Sequence, residues 1–271
     1  MNRCDDKKNS EGSDSRPTSR TNVLGVGISE IDMQDAVRLS DSLIRKSGKG
    51  YVCVTGVRGV IEAQTDKAFR GILNRSFMTT PDGMPLVWLG RIQGQKRMRR
   101  VYGPDFMMDM CRFSVARGYR HFLYGGGQGV APRLAMELRT RCPGLQIVGT
   151  YTPPFRPLNA TEEAELLAFV AETKPDLFWV GLSTPKQERF MAHYLDKLDV
   201  KLMVGVGAAF DIHTGGIRDA PMWLKKAGLQ WLHRLAQEPR RLWRRYLINN
   251  PRFIWNIGLQ FLGLRKFNIE A

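Results

Sequence analysis

His121-Phe122-Leu123-Tyr124-Gly125-Gly126-Gly127 is an apolar run that stops on three glycines and gives way to a helical pattern over about residues 128–141. The arrangement recurs twice. Leu182-Ser183-Thr184-Pro185-Lys186-Gln187-Glu188 follows the run at 177–181, and Gly205-Val206-Gly207-Ala208-Ala209-Phe210-Asp211 continues the run at 202–206. Further strand-like runs lie at 23–28, 51–55 and 145–149, with helical patterns at about 34–46, 58–74, 104–117, 161–173 and 185–197. Thr161, followed by Glu162 and Glu163, reads as a helix N-cap with favourable charge in the first turn. Nearly continuous apolar strands alternating with helices predict an α/β fold, a parallel Rossmann-like sheet flanked by helices. Such sheets bind ligands at the carboxyl ends of their strands, and the three turns fall there. Glycine lets a ligand approach the backbone, and helix N-termini offer free N–H groups to an anion. One such turn is as often a tight connection; three along one sheet point to a nucleotide or phosphate pocket. GxGxxG and GxxxxGK[ST] are absent in working form, which counts against a dinucleotide enzyme and a P-loop NTPase.

Residues 218–271 differ in character. They hold eleven Lys/Arg against three Asp/Glu, interleaved with Trp223, Trp231, Trp243, Tyr246, Phe253, Trp255 and Phe261. Pro221, Pro239 and Pro251 are expected near the starts of successive helices. Cations among interfacial aromatics suit an anionic membrane surface; the same composition suits nucleic acid. The chain divides into a disordered tail (1–22, polar and without bulky apolar residues), an α/β core (23–217) and a basic aromatic helical appendage (218–271). A net charge of +15 predicts an anionic partner: phosphate, nucleotide, nucleic acid or lipid headgroup. No apolar run reaches the ~18 residues of a spanning helix, and no signal-peptide h-region opens the chain. Cys4, Cys53, Cys111 and Cys142 lack CxxC spacing and read as reduced thiols of a cytosolic protein. His121, His193, His213 and His233 lack metal spacing and read as structural or surface residues. Neither metal nor cofactor is expected.

The chain carries, in order, Pro81-Asp82-Gly83-Met84-Pro85, Arg100-Val101-Tyr102-Gly103-Pro104-Asp105, Phe122-Leu123-Tyr124-Gly125-Gly126, and the two turns from Gly181 and Gly205. Ala220-Pro221, Gly228-Leu229-Gln230-Trp231, Arg234-Leu235, Gln237-Glu238-Pro239-Arg240-Arg241-Leu242-Trp243-Arg244-Arg245-Tyr246 and Asn250-Pro251-Arg252-Phe253 complete the series. By these blocks and their order the chain resembles the WecG/TagA/CpsF family of bacterial glycosyltransferases over about residues 23–255. The resemblance implies an inverting, metal-independent transferase moving a sugar from UDP-N-acetylmannosamine, its uronic acid or UDP-glucose to a polyprenyl-diphosphate-linked saccharide. It implies a cytoplasmic enzyme, peripheral on the inner membrane, in cell-surface polysaccharide synthesis, with a C-terminal appendage that helps close the site. Room for a homo-oligomer remains.

Asp82 matches the family's base, a carboxylate that takes the acceptor hydroxyl's proton; by spacing alone it is an Asp in a Pro-Asp-Gly turn. Arg100 matches an arginine placed to steady the UDP diphosphate. Thr55 matches a pocket threonine, or caps the next helix. The family's Thr-x-Asn-x-Glu reads Thr55-Gly56-Val57-Arg58-Gly59 here, so Val57 removes an amide from the site. Gly125 and Gly126 are expected to bind substrate, in a turn that suits a nucleotide or a phosphate. Lys186 meets phosphate or is an exposed first-turn lysine, and Gln187 can both give and accept hydrogen bonds to a sugar. Asp211 accepts from ribose or uracil, or caps a helix; Phe155 stacks on uracil or is plain core. Arg240, Arg241, Trp243, Arg244, Arg245 and Trp255 are the expected membrane-associating residues. Two readings compete: a nucleic-acid-binding module with a basic arm, which gives no reason for the three turns, and a soluble epimerase or dehydrogenase, which would need a dinucleotide fingerprint and a Tyr-x-x-x-Lys pair.

Overall fold

The structure, a computed structural model, describes residues 19–270. Most of the expected tail therefore lies outside the described residues, but Arg20–Val23 forms strand β1 and pairs antiparallel with β2 (Val26–Ser29). The single strand expected at 23–28 is thus a hairpin. Leu24 and Gly25, both at positive φ, make its turn, the geometry that two-residue hairpin loops favour. Leu24 is held there by its neighbours: its N–H donates to Gln260 Oε1 at 3.0 Å and its carbonyl accepts from Gln64 Nε2 at 2.9 Å.

The chain continues through α1 (Met33–Arg45), β3 (Gly50–Thr55), α2 (Val57–Thr65), α3 (Lys67–Arg75), β4 (Met78–Pro81), α4 (Met84–Ile92) and α5 (Gly103–Arg117). Next come β5 (Arg120–Gly125), α6 (Val130–Arg141), β6 (Gln146–Tyr151), α7 (Ala160–Thr173), β7 (Leu177–Gly181), α8 (Lys186–Tyr194), β8 (Leu202–Gly205) and α9 (Ala209–His213). Three helices close the described chain, α10 (Met222–Lys226), α11 (Gln230–Gln237) and α12 (Pro239–Phe261). The helix expected over 58–74 is two, because extended Asp66 interrupts it and its side chain caps α3 through the Phe69 N–H. Strand β4 and helix α4 were not expected. At 161–173 the cap is Asn159, in a reciprocal capping box with Glu162, and Thr161 is already helical.

A six-stranded sheet in the order β4-β3-β8-β7-β5-β6 forms the centre, and every pairing in it is parallel. Its strands are apolar on both faces because helices cover both. Along β7, Phe178 and Val180 enter one core while Leu177 and Trp179 enter the other; along β8, Met203 enters the first and Leu202 and Val204 the second. Side chains alternate across a strand, so an unbroken apolar run requires two cores.

Of the three prolines, Pro221 caps α10 and Pro239 opens α12, whereas Pro251 sits inside α12. Having no N–H, Pro251 leaves the Leu247 carbonyl without its usual helical donor. The C-terminal region is joined to the rest. Phe253 and Phe267 are buried in the same core as Phe69 and Phe178, and Asn22 Nδ2 donates to the Phe267 carbonyl at 2.5 Å.

Candidate active site

Strands β3 and β8 lie side by side within the sheet, while the chain leaves β3 toward one edge and β5 toward the other. A cleft of about 1180 Å³ opens at their carboxyl ends, where a parallel sheet places its ligand site. Thr55, Asp82, Gly181, Gln187, Gly207 and Asp211 line it from the ends of four strands, β3, β4, β7 and β8, and α4, α11 and α12 wall it. Pockets for drug-sized ligands run to roughly 1,000 Å³, so this one has room for more than a nucleotide.

Asp82 follows β4, with its N–H on the Thr55 carbonyl at 2.9 Å. Its own carbonyl accepts from Arg100 Nε, and Arg100 Nη2 lies 3.5 Å from Oδ1. The Asp82 side chain is 32% exposed, into the cleft, and Arg100 only 15%. Burial raises the Asp82 carboxyl above its usual range, while the Arg100 guanidinium and the Gly103 backbone oppose that shift. The result is a carboxyl that holds a proton more readily than a surface aspartate does, next to a fixed cation.

Arg100 also donates to Gln230 Oε1 and stacks 4.3 Å above the Tyr102 ring. The Tyr102 hydroxyl donates to Asp219 Oδ1 at 3.0 Å, and Lys225 Nζ donates to Asp219 Oδ2 at 2.5 Å. Helices α10 and α11 are thereby tied to the base of the site through a polar network.

At the far side, Gln187 and Glu188 are buried at the start of α8. Thr184 Oγ1 and Gln187 Nε2 both donate to Glu188 Oε1, at 2.8 and 3.1 Å, and burial raises the Glu188 carboxyl. Gln187 Oε1 lacks a partner among the described residues although Gln187 lines the cleft. An unpaired buried acceptor is costly, and a ligand donor would satisfy it.

The lining carries six cations, Arg58, Arg100, Lys225, Arg234, Arg241 and Arg245, against two carboxylates, Asp82 and Asp211. Burial and the nearby Arg245 lower the Arg58 pKa, and neither arginine forms an ion pair among the described residues. Burial raises the Asp211 carboxyl, with Arg234 and Arg241 opposing. Such a lining suits a ligand with more than one phosphate.

Thr55, Asp82, Arg100, Gln187 and Asp211 therefore share one cleft, joined by Arg241 and Arg245, which had been expected at the membrane. Gly125, Gly126 and Lys186 lie outside its lining. Gly125, at φ +122°, touches the end of β7 so closely that a Cβ would sit 2.7 Å from the Gly181 carbonyl carbon and oxygen. Lys186 is exposed. Phe155 is neither core nor lining but 95% exposed. Arg240, Trp243, Arg244 and Trp255 are exposed on α12 away from the cleft. Buried His121 accepts from Trp179 Nε1 at 2.9 Å and burial pushes its pKa down to about 3. Among the described residues no group of three or more His, Cys, Asp or Glu is placed to hold a metal, and no helix is long and apolar enough to cross a membrane.

Sequence reasoning missed Arg58, Asp219 and Lys225, along with the parts that Tyr102, Gln230 and Arg234 play. The last three fell inside motif blocks; Asp219 and Lys225 carried no local signal.

Three bacterial proteins, each named N-acetylglucosaminyldiphosphoundecaprenol N-acetyl-beta-D-mannosaminyltransferase, are similar to this chain. That of Bacillus subtilis (strain 168) is 27% identical over 183 residues, 67% of this chain and 69% of its own length. The Bacillus spizizenii (strain ATCC 23059 / NRRL B-14472 / W23) protein is 26% identical over 207 residues, 76% and 78% of the two chains. That of Staphylococcus aureus (strain MRSA252) is 22% identical over 251 residues, 92% and 96%. The sequence profile of the glycosyl transferase WecG/TagA/CpsF family matches residues 21–267, nearly all that the structure describes. This chain, a glycosyltransferase, belongs to that family.

Proposed function

We propose that the protein transfers N-acetylmannosamine from its UDP donor, with inversion, to a hydroxyl of N-acetylglucosamine carried on polyprenyl diphosphate in cell-envelope polysaccharide synthesis. The observation that carries this reading is Asp82, a carboxyl of raised pKa opening into a cleft whose other charged groups are almost all cations. Asp82 takes the acceptor proton as the hydroxyl oxygen attacks the anomeric carbon from the face opposite UDP. The bond from that carbon to the diphosphate oxygen breaks, and UDP leaves with the electron pair. Arg100 meets the charge that develops on the leaving group, so the chemistry needs no metal. The relatives' names support both sugars and the beta linkage.

The donor is the less constrained partner. Val57 lines the cleft where the family carries an amide, and neighbouring Arg58 adds a cation that forms no ion pair among the described residues. Arg58 could meet a carboxylate, which makes the uronic acid of N-acetylmannosamine the second donor to test and UDP-glucose the third. The acceptor places the enzyme on the cytoplasmic face of the membrane, held by the exposed cations and aromatics of α12. A nucleic-acid module would spread its cations over an outer face, whereas six of them line this concave cleft.

Asp82→Asn tests the reading. Turnover in EDTA-containing buffer should fall about 10²-fold or more, the scale of general-base catalysis, while UDP binding stays near that of the wild type. Near wild-type turnover at saturating substrates would remove Asp82 from the mechanism.

A further inference from the structure

The cleft has a second half that the polar chemistry does not use. Helix α4 begins one residue after the Asp82-Gly83 turn and presents Met84, Trp88 and Ile92 to it, a stripe at four-residue spacing. Helix α12 forms the opposite wall. Its first turns bring Arg241 and Arg245, and its later turns bring Leu247, Ile254 and Ile257. The α4 wall is apolar from the Asp82 turn onward, and the α12 wall changes from Arg241 and Arg245, past Asn249 and Asn250, to Ile254 and Ile257. They converge at their far ends, where Gln93 Nε2, just past α4, and Gln260 Nε2, on α12, donate to the same Asn22 carbonyl, each at 3.1 Å. From Met84 to Ile92 the trough runs about 12 Å at the helical rise. Trp88, Ile92 and Ile254 are 44%, 69% and 71% exposed, so these apolar side chains are left facing open space rather than buried core.

We propose that the trough between α4 and α12 holds the first isoprene units of the lipid-linked acceptor. This rests on the function proposed above. The charge pattern selects the occupant: cations and Asp82 at one end with apolar side chains at the other fit an amphiphile whose diphosphate is joined directly to a hydrocarbon tail. An acyl phospholipid would offer a single phosphate separated from its chains by a glycerol unit. The trough also makes α4 part of the membrane-facing surface, so Trp88 and Ile92 join the C-terminal residues there.

Acceptors of N-acetylglucosamine diphosphate esterified to a methyl or a farnesyl group, both water-soluble, test the proposal. The wild type should use the farnesyl acceptor at a KM lower by about tenfold or more, since every buried methylene adds affinity. In an Ile92→Ser/Ile254→Ser variant, whose substituted positions are exposed, the farnesyl KM should rise about tenfold. The methyl KM should move far less, and the affinity for UDP should hold. A benzophenone-tagged farnesyl acceptor should label peptides of α4 and α12. Equal use of both acceptors by the wild type, equal losses in the variant, or labelling confined to other elements would overturn the proposal. Labelling by a photoreactive phospholipid that the farnesyl acceptor cannot displace would give the trough to bulk lipid and also overturn it. If the wild type transfers to neither acceptor with any UDP-sugar, the function reading falls and takes this one with it.

Discussion

Asp82 is positioned by its main chain as much as by its side chain. Its N–H is held by Thr55 at the end of β3 and its carbonyl by Arg100, so the carboxyl is free to face the cleft. The pH dependence follows from its environment. The proposed base works when ionised, so the rate should be lost as pH falls through its pKa. Burial raises that pKa above the usual aspartate value of about 3.9, and the acidic limb of kcat/KM should lie correspondingly high. Arg100 pulls the pKa down, so Arg100→Met should lower the rate and move the limb to still higher pH. A limb that stays put or moves down would mean that another group titrates. Asp82 and Arg100 were legible because each sits in a compact motif. Asp219 and Lys225 were not, because they reach the site only by packing more than a hundred residues away in sequence, with Tyr102 as the link.

Among the elements, the legible ones had one dominant signal. The runs that became β5, β7 and β8 are nearly all apolar because each feeds two cores. Strand β4 was missed since Met78-Thr79-Thr80-Pro81 buries two threonines. Thr79 pairs its hydroxyl with the Leu73 carbonyl at 2.8 Å, and a proline is tolerated at the end of an edge strand. Helix α4 was missed because it is apolar nearly all round, with one side in the core and another in the cleft. Helix α12 read correctly as basic and aromatic, but composition could not say that alternate pairs of its arginines point different ways. Arg241 and Arg245 line the cleft; Arg240 and Arg244 are exposed elsewhere, Arg244 lying 5.2 Å above the Trp243 ring. Two variants should separate these roles. Arg240→Gln/Arg244→Gln should weaken binding to anionic liposomes roughly thirtyfold, at about 1 kcal/mol for each cation, and leave UDP affinity in place. Arg241→Gln/Arg245→Gln should reduce substrate affinity and turnover instead. Liposome and substrate binding that fall together in both variants would contradict the split.

Across the whole molecule, the net charge of +15 resolves into an interior and an exterior component, cations around the cleft and cations on the outside of α12. The C-terminal region bridges them, with Phe253 and Phe267 buried in the sheet's core and Arg100 bonded to Gln230. Removing it would unseat core residues as well as surface ones, so point substitutions report on its function more cleanly than truncation. The family, the parallel sheet and the cleft's place at the strand ends could all be read from glycine-rich turns and motif order. The donor could not, since the side chains proposed to meet the sugar are gathered only in the folded cleft, which Val57 and Arg58 also line. The most direct measurement is the reaction itself: the purified protein, UDP-N-acetylmannosamine, and N-acetylglucosamine linked through diphosphate to a polyprenol, with the product's anomeric configuration read by NMR. The account predicts UDP release matched by a β-linked disaccharide on the lipid. An α-linked product, or no transfer from this donor, its uronic acid or UDP-glucose, would contradict it.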